Sequence, residues 1–418
     1  MPSKRLVQKL ITALTIGVNS GIVFAFLVTT IVAYFKDAGL SLAVIGFFSI
    51  KTLPFSFKYF WSPFADNYKL KLFPNNFGQR KSWILLMQAF LFVSIALFGF
   101  IDTNQHMVAV LILLLLIGFF GATYDIALEA YRIELFSTKE SGVGNGFVVY
   151  GYRIGFIISG IFALYLSTVT SWKYVFIVLA LFILPCMIII WFSHDEKVIA
   201  RKARKLSYKE WFISYFLEPA KEFIRIPKFG LVLLTIAFYK VSDAYLDSMS
   251  IPFLMDVGFS KNEIAGVAKT CGMVGTIVGT FLAGILIAKL KFRINLLLSE
   301  VLAALTNLQF LIFLKIQPNL IVLGIVHFIE NFSYGLCNLA LITYMSSFCD
   351  RRFTATHFAI LISVSQLSRS LLSPTSGLVA ENLGWQNFFI ISTLFSIPSI
   401  LCIYLLYWRN NSDILQHK

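Results

Sequence analysis

Charge is what this sequence has least of. Of its 418 residues only 13% are Asp, Glu, Lys or Arg, against roughly 25% in an ordinary soluble domain. A water-facing exterior over most of the chain is thereby excluded. Polar stretches long enough for a separate soluble domain are missing as well. Cysteines number five, and Cys186, Cys271, Cys337, Cys349 and Cys402 stand at no metal-ligand spacing. They read as small hydrophobes in helices rather than as a disulfide set or a metal site. No Walker sequence, His-Glu-x-x-His or Gly-x-Ser-x-Gly elbow occurs, which argues against an ATP-driven pump and several membrane hydrolase classes. Gly142, Gly144 and Gly146 imitate a nucleotide loop, but no strand precedes them and Phe147 stands where the third glycine belongs. They mark a helix start.

What fills the chain instead is apolar sequence: 58% hydrophobic residues and a mean hydropathy of +0.79. A spanning helix needs about 20 apolar residues, and twelve such segments account for about 240. They fall at about 11–34, 43–64, 82–101, 107–131, 145–167, 173–193, 229–255, 264–288, 294–314, 319–347, 354–380 and 385–408. Backbone polar groups must be paired in lipid, so these are helices or strands of a closed barrel. Runs such as Val108 to Phe120 and Tyr174 to Phe192 lack the alternation of barrel strands. The expected class is an all-α membrane protein. The basic start (Lys4, Arg5, Lys9) before an apolar run imitates a signal peptide, but the run is too long and more spans follow, so it reads as a retained first helix.

A formal net charge of +14 invites a nucleic-acid reading, which the distribution of the charges defeats. One set of loops, containing the N-terminus, carries nearly all of the Lys and Arg. The other set has only Lys36, Lys173, Lys261 and Lys315. Positive loops face the cytoplasm, so both termini are expected there, with contact to anionic lipid as a secondary effect. The longest loop, 194–228, holds nine Lys or Arg and five Asp or Glu, with Trp211, Phe212, Tyr215 and Phe216 making part of it amphipathic. It is expected to lie on the cytoplasmic surface. It divides the chain into a six-helix half at 1–193 and another at 229–418, each built of two three-helix repeats, which is the major facilitator architecture.

Charges inside spans are costly and normally serve a purpose. Here they have a three-segment period. First segments of each triple carry Asn19, then Asp125 and Glu129, then Lys240 and Asp243, then His327 and Glu330. Second segments carry Lys51 and Lys58, Arg153, Lys269 and Arg369, and in the third segments Glu300 is the clear exception. The pattern is that of a solute carrier with a central cavity. Asp125, Glu129 and Arg132 share one helical face, and a carboxylate in a low-dielectric site can pick up a proton on one side and release it on the other. A structural ion pair is the competing reading. Lys240 and Asp243, three apart, either pair with each other or hold an anionic cargo group, the latter favoured because a buried pair brings little net stability. His327 and Glu330 have a spacing that resembles that of sugar–proton symporters. Arg153 and Arg369 each offer a planar donor fork, either to an anionic solute or to a carboxylate such as Asp125 or Glu330. Lys58 reads as snorkelling to the interface. Gly275-x-x-x-Gly279 and the 155–160 stretch suit close helix packing.

Specific stretches resemble known proteins. Asp66 with Gly78-Gln79-Arg80-Lys81 is similar to the Gly-x-x-x-Asp-Arg-x-Gly-Arg-Arg motif of major facilitators, although Asn67 replaces the expected Arg and an insertion with Pro74 interrupts it. Leu53 to Pro63, Phe77 to Arg80, Tyr124 to Ala130, Gly151-Tyr152-Arg153, Tyr239 to Ala244, Glu330-Asn331 and Phe353 to Ala359 running on to Arg369, Pro374 and Gly377 resemble the AmpG family of muropeptide permeases. This is a branch of the major facilitators related to acetyl-coenzyme A transporters. The pattern departs at Glu129, where the family has Asp, and at Arg132, where it has Lys; His327 is outside it. The resemblance implies import of N-acetylglucosaminyl-1,6-anhydro-N-acetylmuramic acid, with or without peptide, across the inner membrane of Gram-negative bacteria. The proton gradient would drive it, serving cell-wall recycling and feeding β-lactamase induction. The expected assignments are Asp125, Glu129 and Glu330 for proton coupling, Arg153, Lys240, Asp243, Asn331 and Arg369 for an anionic cargo, and Lys58, Asp66 and Arg80 for a cytoplasmic gate. No cofactor and no metal is expected. Another anionic solute, such as an acyl-coenzyme A or a phosphorylated metabolite, is the second reading. A membrane-embedded transferase is the third, disfavoured because the unusual charges lie mid-helix and the non-cytoplasmic loops are short.

Overall fold

A computed structural model describes residues 4–67, 70, 72–73, 77–136, 140–193, 228–348 and 354–407. The amphipathic linker and the C-terminal tail therefore lie outside the described residues, as do the side chains of Asp66 and of 354–359. All regular structure among the described residues is helical, without a strand. In chain order the helices are α1 (Lys4–Asp37), α2 (Leu42–Phe47 and Leu53–Asn67 around a 3-10 turn), α3 (Gln79–Phe98), α4 (Met107–Leu135), α5 (141–169) and α6 (Trp172–Phe192). Then follow α7 (Phe229–Val257), α8 (261–289), α9 (Arg293–Leu314), α10 (Leu320–Ser347), α11 (354–383) and α12 (385–407). The glycine-rich start is a helix start, at Ser141.

Ten helices among the described residues are long and apolar enough to cross a membrane. The stretch Ile360–Tyr407 counts as one of these, yet Gly384 breaks it with φ 77° and ψ 166°. Glycine tolerates that backbone because it lacks a Cβ. The α2 segment is not among the ten: Lys51 and Lys58 lower its hydropathy and the turn at Phe48–Thr52 interrupts it.

The described chain forms two compact units, one from 4–40 and 51–193, the other from 41–50 and 228–407. In the first unit, α1 and α5 pack backbone to backbone. A Cβ on Gly17 or Gly21 would overlap the Val148 or Tyr152 carbonyl, and one on Gly151 or Gly155 would overlap that of Leu14 or Val18. Each helix carries π-helical turns beside this seam, Phe26–Thr30 and Ile157–Phe162, tied together by Thr30 Oγ1 donating to the Ser159 carbonyl. In the second unit the same device joins α8 to α10, with Gly275 on the Phe328 carbonyl and Gly279 on that of Phe332. Small residues at four-residue spacing let helices approach this closely. The first turns of α2 join the second unit: Gly46 meets Gly377 of α11, and Glu381 accepts from the Ala43 amide at 2.8 Å.

Candidate functional site

In the first unit the intramembrane carboxylates are closed onto cations. Asp125, half-buried on α4, lies 3.8 Å from Lys58 Nζ and accepts from Ser20 Oγ at 3.0 Å. Lys58 thus ends on Asp125 rather than running out to the headgroups. Glu129, one turn further and exposed, pairs with Arg132 at 3.0 Å. Arg80 donates to Glu134 at 3.2 Å and to the Ala65 carbonyl at 3.1 Å, linking the start of α3 to the ends of α4 and α2. Lys9 pairs with Glu140 at 3.3 Å. Arg153 is the contrast: half-buried on α5, it makes no hydrogen bond or ion pair with another described residue. Its guanidinium meets neither Asp125 nor any other described carboxylate. Asn19 is fully buried beside Tyr124, whose hydroxyl donates to the Ile16 carbonyl at 2.8 Å.

The second unit arranges its charges differently. Helix α7 is broken at Lys240, which has φ −122° and ψ 16° between Phe229–Phe238 and Val241–Val257. Lys240 and Asp243 are within electrostatic range but make no ion pair, since i,i+3 pairing relies on continuous helix. Lys240 instead turns to α10. Its Nζ sits 3.4 Å from the centre of the Tyr334 ring and 3.4 Å from Asn338 Oδ1. A cation over an aromatic face is attracted by the ring quadrupole. Asp243 is buried and its Oδ2 has no hydrogen-bond partner among the described residues. Lys240, Asp247 and Arg369 surround it within electrostatic range.

Glu330 and Asn331 are joined by a side-chain hydrogen bond, and Asn331 also donates to the His327 carbonyl at 3.0 Å. Asp243, Asp247, Lys240 and Lys269 lie within electrostatic range of Glu330. Arg369 touches Gln366 at 3.5 Å, and its Nε has no partner among the described residues. None of Asp243, Asp247 and Glu330 forms an ion pair with a described residue. His327 lies within electrostatic range of Lys269 but bonds away from the acids. Its Nδ1 lies 3.0 Å from the Leu323 carbonyl and its ring packs edge-on against Phe310. A carbonyl can only accept, so Nδ1 carries the proton and the ring serves packing.

Sequence reasoning passed over Tyr334 and Asn338, and noted Asp247 and Lys269 as intramembrane charges without giving them a role. The signal for the first two was present, since His327, Asn331, Tyr334 and Asn338 recur at helical spacing down α10. Lys269 closes a π-helical turn, Ile264–Lys269, and lies near Asp247 and Glu330. Such turns are frequent at functional sites. Among the described residues no three His, Cys, Asp or Glu side chains are grouped to hold a metal ion.

An all-helical bundle with broken helices and charged groups held at mid-span is the make-up of a membrane transporter rather than an enzyme. Comparison with known proteins agrees. The Major Facilitator Superfamily model matches residues 10–373 and 251–418. The chain is 30% identical over 390 residues to the "Putative transporter AmpG 4" of Rickettsia conorii, covering 93% of this chain and 94% of that one. It is equally 30% identical over 392 residues to the "Anhydromuropeptide permease" of Escherichia coli K12, covering 93% and 78%. A crystal structure of the D-xylose-proton symporter superposes with a TM-score of 0.72 at 13% identity, covering 97% of this chain and 98% of that one. The chain belongs to the AmpG family of transporters, within the Major Facilitator Superfamily.

Proposed function

We propose that this transporter imports anhydromuropeptides, GlcNAc-1,6-anhydroMurNAc with or without peptide, from the periplasm to the cytoplasm by proton symport in a bacterial inner membrane, with both termini cytoplasmic. The observation that carries the reading is the second unit's set of polar and cationic groups, in which Lys240, buried, and Arg369, half-buried, form no ion pair with a carboxylate among the described residues. Arg369 keeps an Nε without a partner among the described residues, Lys240 is held by the Tyr334 ring and the Asn338 amide, and Asn331 bonds Glu330. An anhydromuropeptide brings a lactyl or peptide carboxylate and many hydroxyls. The arginine fork suits the carboxylate and the amides suit the hydroxyls. Arg153 offers a further cation with no partner among the described residues. The cargo class comes from the named relatives.

Coupling follows from the acids. Asp125 faces Lys58, and protonation of Asp125 releases that lysine's counter-charge, so the pair responds to proton supply at one membrane face. Glu330 adjoins Asn331 and stands within range of both Lys240 and Lys269. Loading cargo beside it and loading a proton onto it thus act on the same charges. Glu129 is exposed and paired with Arg132, which suits proton entry at the surface.

The test is uptake of labelled anhydromuropeptide into proteoliposomes of purified protein, with and without an imposed pH gradient. The expected result is accumulation above the equilibrium level only when the outside is acidic. Equal uptake with and without the gradient contradicts the proton coupling. Competition by acetyl-coenzyme A that outweighs unlabelled anhydromuropeptide contradicts the cargo and favours an acyl-coenzyme A carrier.

A further inference from the structure

Glu300 is a buried intramembrane acid to which the transport reading gives no task. It lies on α9 and is 1% exposed. Its neighbour Cys337 belongs to a buried cluster with Tyr239, Leu296, Ala303, Ala340 and Ile403. No described cation forms an ion pair with Glu300. An ionised carboxylate in such surroundings is strongly disfavoured unless paired.

Counting hydrogens sharpens the point. Glu300 Oε1 is hydrogen-bonded to Ser399 Oγ of α12, and Oε2 lies 4.0 Å from Cys337 Sγ of α10. Each of these partners has a single hydrogen and a carbonyl of its own to donate to. Ser399 Oγ lies 2.8 Å from the Ser396 carbonyl, and Cys337 Sγ lies 3.1 Å from that of Ser299. If both hydrogens go to the carbonyls, a carboxylate at 300 receives none. If Glu300 carries a proton, it donates to Ser399 Oγ, Ser399 donates to Ser396, and every bond in the chain is made. The remaining titratable groups around Glu300 are Tyr239, Lys240 and Asp243, all from α7. Of these only Lys240 is a cation, and its head is engaged by Tyr334 and Asn338.

We propose that Glu300 is a second proton-binding site of the transporter, occupied in the state seen here, and that it exchanges its proton for the ammonium of Lys240 during the cycle. In the exchange the Glu300 O–H bond breaks and the proton leaves to water. Lys240 turns from Tyr334 and Asn338 to neutralise the carboxylate, while Arg369 remains the cation beside Asp243. Cargo that takes over Asn338 or the Tyr334 face frees Lys240 for this turn, which ties proton release to loading. The inference rests on the proton-symport reading.

Two measurements test it, one independent of transport. The infrared difference spectrum between wild type and Glu300→Gln, at neutral pH in the purified protein, should contain the carbonyl band of a protonated carboxyl that the variant lacks. Absence of that band overturns the proposal, whatever the cargo. Glu300→Gln, which keeps a neutral side chain able to donate to Ser399, should retain the wild-type melting temperature and cargo counterflow. It should lose gradient-driven accumulation by roughly tenfold, as expected for removal of an intramembrane proton site. Accumulation with an unchanged pH profile overturns the proposal, and so does loss of counterflow alongside it, which would mark a purely structural acid. Failure of the transport reading itself looks different, because wild type would then accumulate no anhydromuropeptide at all.

Discussion

The two units use one packing device and opposite charge arrangements. Both close a helix pair over glycines that bring backbones into contact, α1 with α5 in one and α8 with α10 in the other. In the first unit Asp125, Glu129, Glu134 and Glu140 each meet a lysine or arginine. In the second, Asp243, Asp247, Glu300 and Glu330 meet none among the described residues, while Lys240 and Arg369 are held by rings and amides. A buried ion pair is close to neutral for stability, while an unpaired buried charge costs, so neither arrangement is a source of fold stability. The shared device is the glycine seams, and the second unit's unpaired ionisable groups are those on which the transport proposal rests.

The largest effect is expected where the units agree. Gly155→Leu and Gly279→Leu each force a side chain into a neighbouring carbonyl, and overpacking of this kind is among the few routes to severe destabilisation. Both should reduce folded protein recovered from membranes by about tenfold or more, measured by size-exclusion fluorescence. Loss in one and not the other would break the symmetry of packing. Next comes the open set. Arg369→Ala should raise the KM for labelled anhydromuropeptide about 10- to 100-fold, the worth of one or two charge-assisted hydrogen bonds. Arg369→Lys should recover only part, since it lacks the fork. An unchanged KM removes Arg369 from the cargo site. The smallest effect belongs to the closed set. A double-mutant cycle with Lys58→Met and Asp125→Asn should give a coupling of about 1 kcal/mol in thermal unfolding, as for a partly exposed pair. A much larger value would mean that this pair is a structural element of the fold.

Much of this architecture was legible before any coordinates. Continuous apolar runs require helices because lipid leaves no partner for an open backbone. Gly275 and Gly279 announce a helix seam by their spacing. The face shared by Glu129 and Arg132 is simple helical periodicity, and the pair is made at 3.0 Å. Partners from distant segments were not legible. Nothing local says that Lys58 reaches Asp125 instead of the interface, because that depends on α2 packing beside α4. Of the two readings of Lys240 and Asp243, the direct ion pair is not made. The spacing rule holds only in unbroken helix, and the break at Lys240, which no proline or glycine marks in sequence, sends the side chain across to α10 instead. The carboxylate at 300 was visible as an exception, while its hydrogen-bonded chain through Ser399 needed the packing of α9 on α12.

The central claim is that acids in both units carry protons while the cationic and amide groups carry cargo. The most direct measurement compares gradient-driven accumulation with gradient-free counterflow of labelled anhydromuropeptide for Asp125→Asn and Glu330→Gln in proteoliposomes. The account predicts that both variants, folded and inserted, keep counterflow and lose accumulation. Full accumulation in both variants would contradict it.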